Sequence, residues 1–544
     1  MKSKVLRSMM AALLAAGMVI GLCGCGNGGS SNNATSSITD FTFPLKEEAT
    51  LKFITSAETG TTQDPNERVI FQRLQDETNV KIEWTCFVKD QFKDKKNLAL
   101  ANAKNLPDGL FDADMSDYDL LRYAKQGVII PVEDLIDEYM PNLKKVLDEN
   151  PQYREMITAP DGHIYAFPWI EQLGTGKEAI QSIGGMPFIN KKWLDELNLP
   201  VPSTTEELEA ALVAFKENDM AGDGQTIPMS FIMNGGNEDM GFILGAFGEG
   251  YGDVPDHIAV SNDKEVIYTA AEEGFKEGLI WMHELAAQGL IDPEAYTQDW
   301  STYVAKGKAG RYGVLFTWDC ANCVGNFEDY VPLPALEGPN GTKNAPRASR
   351  SDTSGLFRGR CVLTSACSNT GLAASWLDLM YDPQQSAQNN WGTYGQEDSA
   401  NIFEMTDDGM LKHLDLTGES PNEIRNAQMV GGPLAVLDSY YDVYVTCPDD
   451  AQYRLDWIRD IYVPDMHNEY VFPNIFMSQE DLDKITQYTT DLDSYVSRMK
   501  SEFIMNGNVE KEWDNYIDTL EGYGLEEYKQ ILQSNLDRYY SNVE

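Results

Sequence analysis

The chain has 544 residues, 42% hydrophobic and 10% aromatic, enough for cores in more than one lobe and too apolar for a disordered polymer. Against 42 Lys and Arg stand 86 Asp and Glu, a net charge of -44. Such a surface repels phosphate backbones and anionic headgroups, which argues against nucleic acid and acidic membrane surfaces as partners and leaves a neutral or cationic ligand as the better expectation.

Lys2, Lys4 and Arg7 form a positive start, and Met9 to Leu22 is an apolar run too short to span a bilayer comfortably. The run ends at Leu22-Cys23-Gly24-Cys25, which resembles the bacterial lipobox. That resemblance implies a signal peptide over 1–24, cleavage after Gly24 and diacylglycerol on the Cys25 thiol. Residues 25–47, rich in Gly, Ser and Asn, are then a lipidated N-terminus and flexible tether reaching about 25 Å. Beyond Cys25 no apolar run attains the roughly 18 residues of a spanning helix.

The body opens with alternating Thr50–Ser56, a predicted strand, and Asn66–Glu77 has helical spacing. Val80–Val88 is β-branched and aromatic, Asp90–Ala103 is amphipathic, and Gly109–Asp112 is a short strand end. This alternation predicts a mainly parallel sheet with right-handed crossovers. Further on, Thr205–Asn218 and Ala271–Gln288 are expected as helices and Arg311–Trp318 and Cys361–Ser365 as buried strands. From Ile475 the pattern is almost wholly helical, with Phe503, Trp513, Tyr516, Tyr523 and Tyr528 at core-like spacing. Trp84, Trp193, Trp281, Trp376 and Trp513 lie inside periodic segments and are expected in the core. The lone Cys320-Ala-Asn-Cys323 pair lacks a second pair for zinc and a redox context, so its thiols are either free or joined in a structural disulfide.

Ala124-Lys-Gln-Gly127, Pro131-Val-Glu-Asp134, Met140-Pro-Asn142 and Ala159-Pro-Asp-Gly through Tyr165-Ala-Phe-Pro168 resemble, in that order, phrases of the family 1 extracellular solute-binding proteins. Phe188-Ile-Asn190, Val201-Pro-Ser-Thr-Thr205, Gly289-Leu-Ile-Asp-Pro293 and Trp513-Asp-Asn-Tyr516 continue the series toward the large oligosaccharide-binding branch. The resemblance implies an α/β periplasmic-binding-protein fold of type II, two lobes with a ligand cleft and a helical C-terminal region. The expected division is 48–165 plus about 310–365 for lobe 1, and 166–309 plus about 366–544 for lobe 2. It further implies an oligosaccharide ligand, ABC permease subunits as membrane partners, a monomer, and no cofactor.

Sugars present hydroxyls and apolar C–H faces, so a binding cleft needs aromatic platforms with carboxylate or amide partners. Aromatics just past a strand or in a loop are the candidates: Trp318 with Asp319, Trp169 with Glu171, Trp391 with Tyr394, and Trp300; Glu58, Asp112, Asp114 and Asn234 are polar loop candidates. Some relatives carry a calcium loop where this chain has Asp219 and Asp223, but Ala221 stands between them, so a plain turn is expected and no metal. A secreted glycoside hydrolase would need a carboxylate pair across the cleft. A peptide-binding or sensory lipoprotein is the other alternative.

Overall fold

The computed structural model describes residues 41–543 except 59–60, 103, 176–177, 349–354, 397–400, 416–424 and 426. The expected signal segment (1–24), Cys25 and residues 26–40 of the expected tether therefore lie outside the described residues.

Ten strands make two main sheets: β1 (Ala49–Ala57), β2 (Val80–Val88), β3 (Gly109–Leu110), β4 (Phe167–Glu171), β5 (Met186–Asn190), β6 (Ile227–Met229), β7 (Tyr312–Thr317), β8 (Tyr330–Pro332), β9 (Leu356–Leu363) and β10 (Leu434–Val436). The first sheet has the order β10-β4-β9-β3-β1-β2 and the second β8-β5-β7-β6. β1 pairs in parallel with β2 from Ala49 opposite Val80 to Ala57 opposite Val88, and with β3 on its other edge. Helices Val69–Thr78 and Lys89–Leu100 are the crossovers that parallel pairing demands, as the strand–helix alternation predicts. Gly109 is required by a close approach: a Cβ there would stand 2.6 Å from the Phe53 ring and from the Val362 carbonyl.

The first core is a nest of rings. Phe71 lies 4.8 Å from Trp84, Trp84 is 5.5 Å from Phe111, and Phe53 is 5.9 Å from Trp376. Trp193 meets Phe215, Trp281 meets Phe247, and Trp513 meets Tyr516, so the five tryptophans expected inside are packed there. Helix Thr205–Glu217 starts with a capping box: Thr204 Oγ1 accepts from Glu207 N–H, and the Glu207 carboxylate accepts from the Ser203 N–H and hydroxyl.

The chain passes between the sheets after β4, after β8 and after β10. Arg347 fastens two of these passages, donating to Glu178 and to the Asn468 carbonyl, while Tyr462 Oη donates to the Leu333 carbonyl at 3.0 Å. Three C-terminal helices, Gln479–Asn506, Val509–Gly522 and Leu525–Val543, close the fold. The last touches both Pro151–Ile157 and Val266–Tyr268, so it spans from one lobe to the other.

Two expectations are corrected. The tether does not extend to residue 47: Phe41, Phe43 and Leu45 pack on the core, and Leu45 N–H donates to the Thr78 carbonyl at 2.9 Å. Nor does the lobe division hold. Tyr312–Thr317, expected in lobe 1, pairs with β5 and β6 in the second sheet, while Phe167–Glu171 and Leu434–Val436, expected in lobe 2, complete the first sheet. β4, with Pro168 inside it, and three-residue β10 are too short and irregular to announce a strand.

Phe111 is fully buried against four aromatic rings. Phe111→Ala should lower the unfolding free energy in urea by about 3–5 kcal/mol; a loss below about 1 kcal/mol would show that this ring cluster does not hold the first lobe.

Candidate ligand cleft

In an open α/β sheet the crevice forms where crossovers leave a strand pair in opposite directions, outside the carboxyl ends. Here that point lies between β1 and β3. Glu58 follows β1 and Asp112 follows β3, while Glu171 closes β4, which runs in the same direction because both β3 and β4 are antiparallel to β9. A small cavity of about 30 Å³ opens at the switch point between Thr55, Glu58, Arg68, Lys89, Asp112 and Gly431. Glu58 pairs with Lys89 at 3.1 Å. Asp112, at φ 50°, accepts from Arg360 at 2.9 Å and from Gly432 N–H at 3.2 Å. Gly431, at φ 63°, has no room for a side chain, since its Cβ would meet Asp112 Oδ1 at 2.8 Å. Glu171 accepts from the Asn390 amide at 2.7 Å.

The second sheet presents Trp318 and Asp319 past the end of β7. Trp318 is partly exposed, and the Arg454 guanidinium covers one indole face at 3.7 Å. Asp319 caps the short helix Cys320–Cys323, accepting from Ala321 N–H at 2.9 Å and from the Asn322 amide at 3.3 Å. Within that helix both thiols are free and buried, and burial pushes Cys323 up to about 12.

The other sequence candidates scatter. Trp169 and Trp391 are only 7% and 5% exposed and belong to one apolar cluster with Phe403, Leu411 and Leu434. Each ring is thus spent on packing: Arg360 lies over Trp169 at 4.7 Å, and Trp391 is edged by Phe403, His413 and Tyr441. Tyr394 has Arg73 over its ring at 4.4 Å. Trp300 is half-exposed at the start of helix Trp300–Lys308, with Tyr303 6.4 Å away. Asn234 donates from its side chain to Ser497 Oγ at 2.7 Å. Asp114, at φ 47°, lends its carbonyl to the Lys96 ammonium. Phe357, which the sequence does not single out, is a further exposed aromatic, with Arg360 over its ring at 5.0 Å. It sits opposite Trp169 in register, at the edge where β9 begins, and is 50% exposed. Nothing in Leu-Phe-Arg-Gly distinguishes it; its exposure follows from β9 starting where its neighbours end.

A larger cavity of about 110 Å³ lies by Gly185, Asn234, Asn237, Asp239, His257 and Lys500. Its charges neutralise one another. Asp253 accepts from Thr269 at 2.7 Å and from Lys500 at 3.1 Å, and lies 2.7 Å from His257 Nδ1. Burial alone would raise the Asp253 carboxyl, but His257 and Lys500 overcome it and hold the group below the carboxylate range.

In the 219–228 turn, Asp219 accepts from Gly224 N–H at 2.7 Å and from Thr226 Oγ1 at 2.9 Å. Both oxygens are engaged within the loop, Ala221 has no side-chain oxygen, and among the described residues no group of three or more His, Cys, Asp or Glu is placed to hold a metal.

The profile of the bacterial extracellular solute-binding protein family matches residues 59–387. The chain belongs to that family. The fructooligosaccharide ABC transporter substrate-binding protein FusA of Streptococcus pneumoniae serotype 4 is 48% identical over 98% of both chains. The structure of FusA in complex with kestose is 49% identical, with TM-score 0.80, and covers 91% of this chain and 100% of its own; an EF-hand mutant of FusA is known with fructo-nystose. Lipoprotein LipO of Bacillus subtilis is 23% identical over the full length of both. The fold of the family, two α/β lobes with a helical C-terminal region, is the one described above.

His413 gives the aromatic cluster behind the cleft a pH dependence. Burial pulls its pKa down to about 4 from an ordinary 6.5, its ring packs 4.5 Å from Phe403, and Nε2 has no hydrogen-bond partner among the described residues. The imidazole is therefore neutral when folded, and its contribution is present above pH 6.5 and lost as pH falls toward 4. The stability advantage of wild type over His413→Leu in urea melts should shrink by about 2–3 kcal/mol across that interval; a gap that stays constant with pH would contradict it.

Proposed function

We propose that the chain captures a neutral oligosaccharide of the fructooligosaccharide class between its lobes and delivers it to the permease subunits of an ABC importer. What carries this reading is the near-complete 48% identity with FusA, whose name states that ligand class. The geometry supports it. Trp318 on one sheet edge and Phe357 on the other are exposed aromatic surfaces for sugar C–H faces. Glu58, Asp112 and Glu171 are carboxylates already held by Lys89, Arg360 and Asn390, so they are fixed in place as acceptors for ligand hydroxyls. In this reading they bind and break no bond, and the protein works as a monomer.

The same reading anchors the mature protein to the outer face of the cell membrane through diacylglycerol on Cys25, supported by the lipobox-like sequence and by the kinship with LipO. Two acyl chains give lasting attachment where one would exchange.

Calorimetry with 1-kestose on the unlipidated chain should show one site, with no sugar released over hours. Trp318→Ala and Phe357→Ala should each weaken affinity about tenfold or more; unchanged affinity in both, with the variants folded, would sink the cleft assignment. Cys25→Ala should move the protein from the membrane fraction to the medium and abolish labelling by radioactive palmitate. Retention of the label would place the lipid elsewhere.

A further inference from the structure

Helix Asp449–Trp457, on the passage between β10 and the C-terminal helices, carries Arg454, whose side chain is 4% exposed. Its Nε donates to the Ile180 carbonyl at 3.2 Å and its Nη1 to the Trp318 carbonyl at 2.8 Å. Nη2 donates to the carbonyls of Ile183 and Gly184. The same planar group lies over the Trp318 indole, 3.7 Å from the ring centroid. Burial pulls its pKa down to about 9. One side chain therefore joins the stretch leading from β4 into β5, the end of β7, and the helix after β10. Ile180 and Trp318 also meet Leu173, Ala451 and Leu455 in a small apolar cluster, and the guanidinium is held at its rim by carbonyls and on one face by the indole.

We infer that Arg454 is the positioning residue of the Trp318 platform. Only a planar fork can satisfy four carbonyls and still lie flat on an indole; a lysine ammonium is a point charge and can do one or the other. The stack closes one face of Trp318, so a ligand has the opposite face alone. A cation on the closed face also disfavours a second cation on the open one, which selects neutral sugars over amino sugars. Because two of the three tied segments pass between the lobes, the tilt of the platform follows the geometry of those passages. Arg360 over Trp169 shows the contrast: the same stack on a ring 7% exposed leaves no open face.

This inference rests on the reading of Trp318 as a sugar platform, and a double-mutant cycle with 1-kestose separates the two. Trp318→Ala and Arg454→Lys should each weaken affinity about tenfold, and the double variant should be no weaker than Trp318→Ala alone. If Trp318→Ala binds normally, the platform reading fails. Should Trp318→Ala weaken binding while Arg454→Lys does not, or should the two losses multiply in the double variant, the positioning role fails and the platform stands. A measurement on the intact protein covers the case in which Arg454→Lys does not fold. With ¹⁵N-arginine labelling, the Arg454 Nε–H resonance, assigned on the intact protein by its NOEs to the Trp318 ring protons, should be shifted by the indole ring current and move on kestose addition. A resonance indifferent to kestose overturns the inference.

Discussion

The cleft depends on the parallel pairing of β1 with strands on both of its edges. Because β2 and β3 flank it in the same direction, the two crossover helices leave toward opposite sides, and the carboxyl ends of β1 and β3 are left open between them. Every polar group at the first sheet's edge inherits its position from that arrangement. Glu58 stands one residue beyond β1, Asp112 two beyond β3, and Glu171 is the last residue of β4. Antiparallel β9 then adds the opposite kind of end, its beginning, and so sets Phe357 beside groups that lie at the ends of their own strands.

Four buried or nearly buried guanidinium groups hold together segments that are remote in sequence. Arg358 grips both Asp117 oxygens at 2.7 Å and reaches Asn474, Arg347 ties Glu178 to Asn468, Arg360 spans Asp112 and Trp169, and Arg454 gathers four carbonyls under Trp318. Arginine suits this work because its five donors are fixed in one plane and stay charged even when burial lowers the pKa. In a chain with 86 acidic residues these cations are placed at the passages between lobes and over the Trp169 and Trp318 rings.

Periodicity made much of the first lobe legible. Thr50–Ser56 and Val80–Val88 alternate or run β-branched, and the helices between them carry apolar residues at helical spacing, so strand, helix and pairing direction follow from local pattern. The other half of that lobe's sheet was less readable. Phe167–Glu171 contains a proline and Leu434–Val436 has three residues, yet both sit in the first sheet because long-range pairing to β9, and of β10 to β4, supplies what local propensity does not. Trp169 and Trp391 share with Trp318 every sequence trait of a platform. All three carry a guanidinium over the ring and touch an apolar cluster; they differ in how far packing covers them, Trp169 and Trp391 being buried and Trp318 partly exposed.

The order of residues alone determined that this is an acidic α/β chain with a positive, apolar start running into a lipobox-like cysteine, core tryptophans at Trp84, Trp193, Trp281, Trp376 and Trp513, and the phrases of the solute-binding family. Those features are local: charge, spacing and short motifs carry their meaning without knowledge of neighbours. Tertiary structure decided which strands share a sheet, that residues 41–47 dock rather than dangle, and that Phe357 is open while Trp169 is closed. The reason is that exposure and pairing depend on contacts hundreds of residues apart, such as Arg454 with Trp318, and no local pattern encodes which distant side chain will cover a ring.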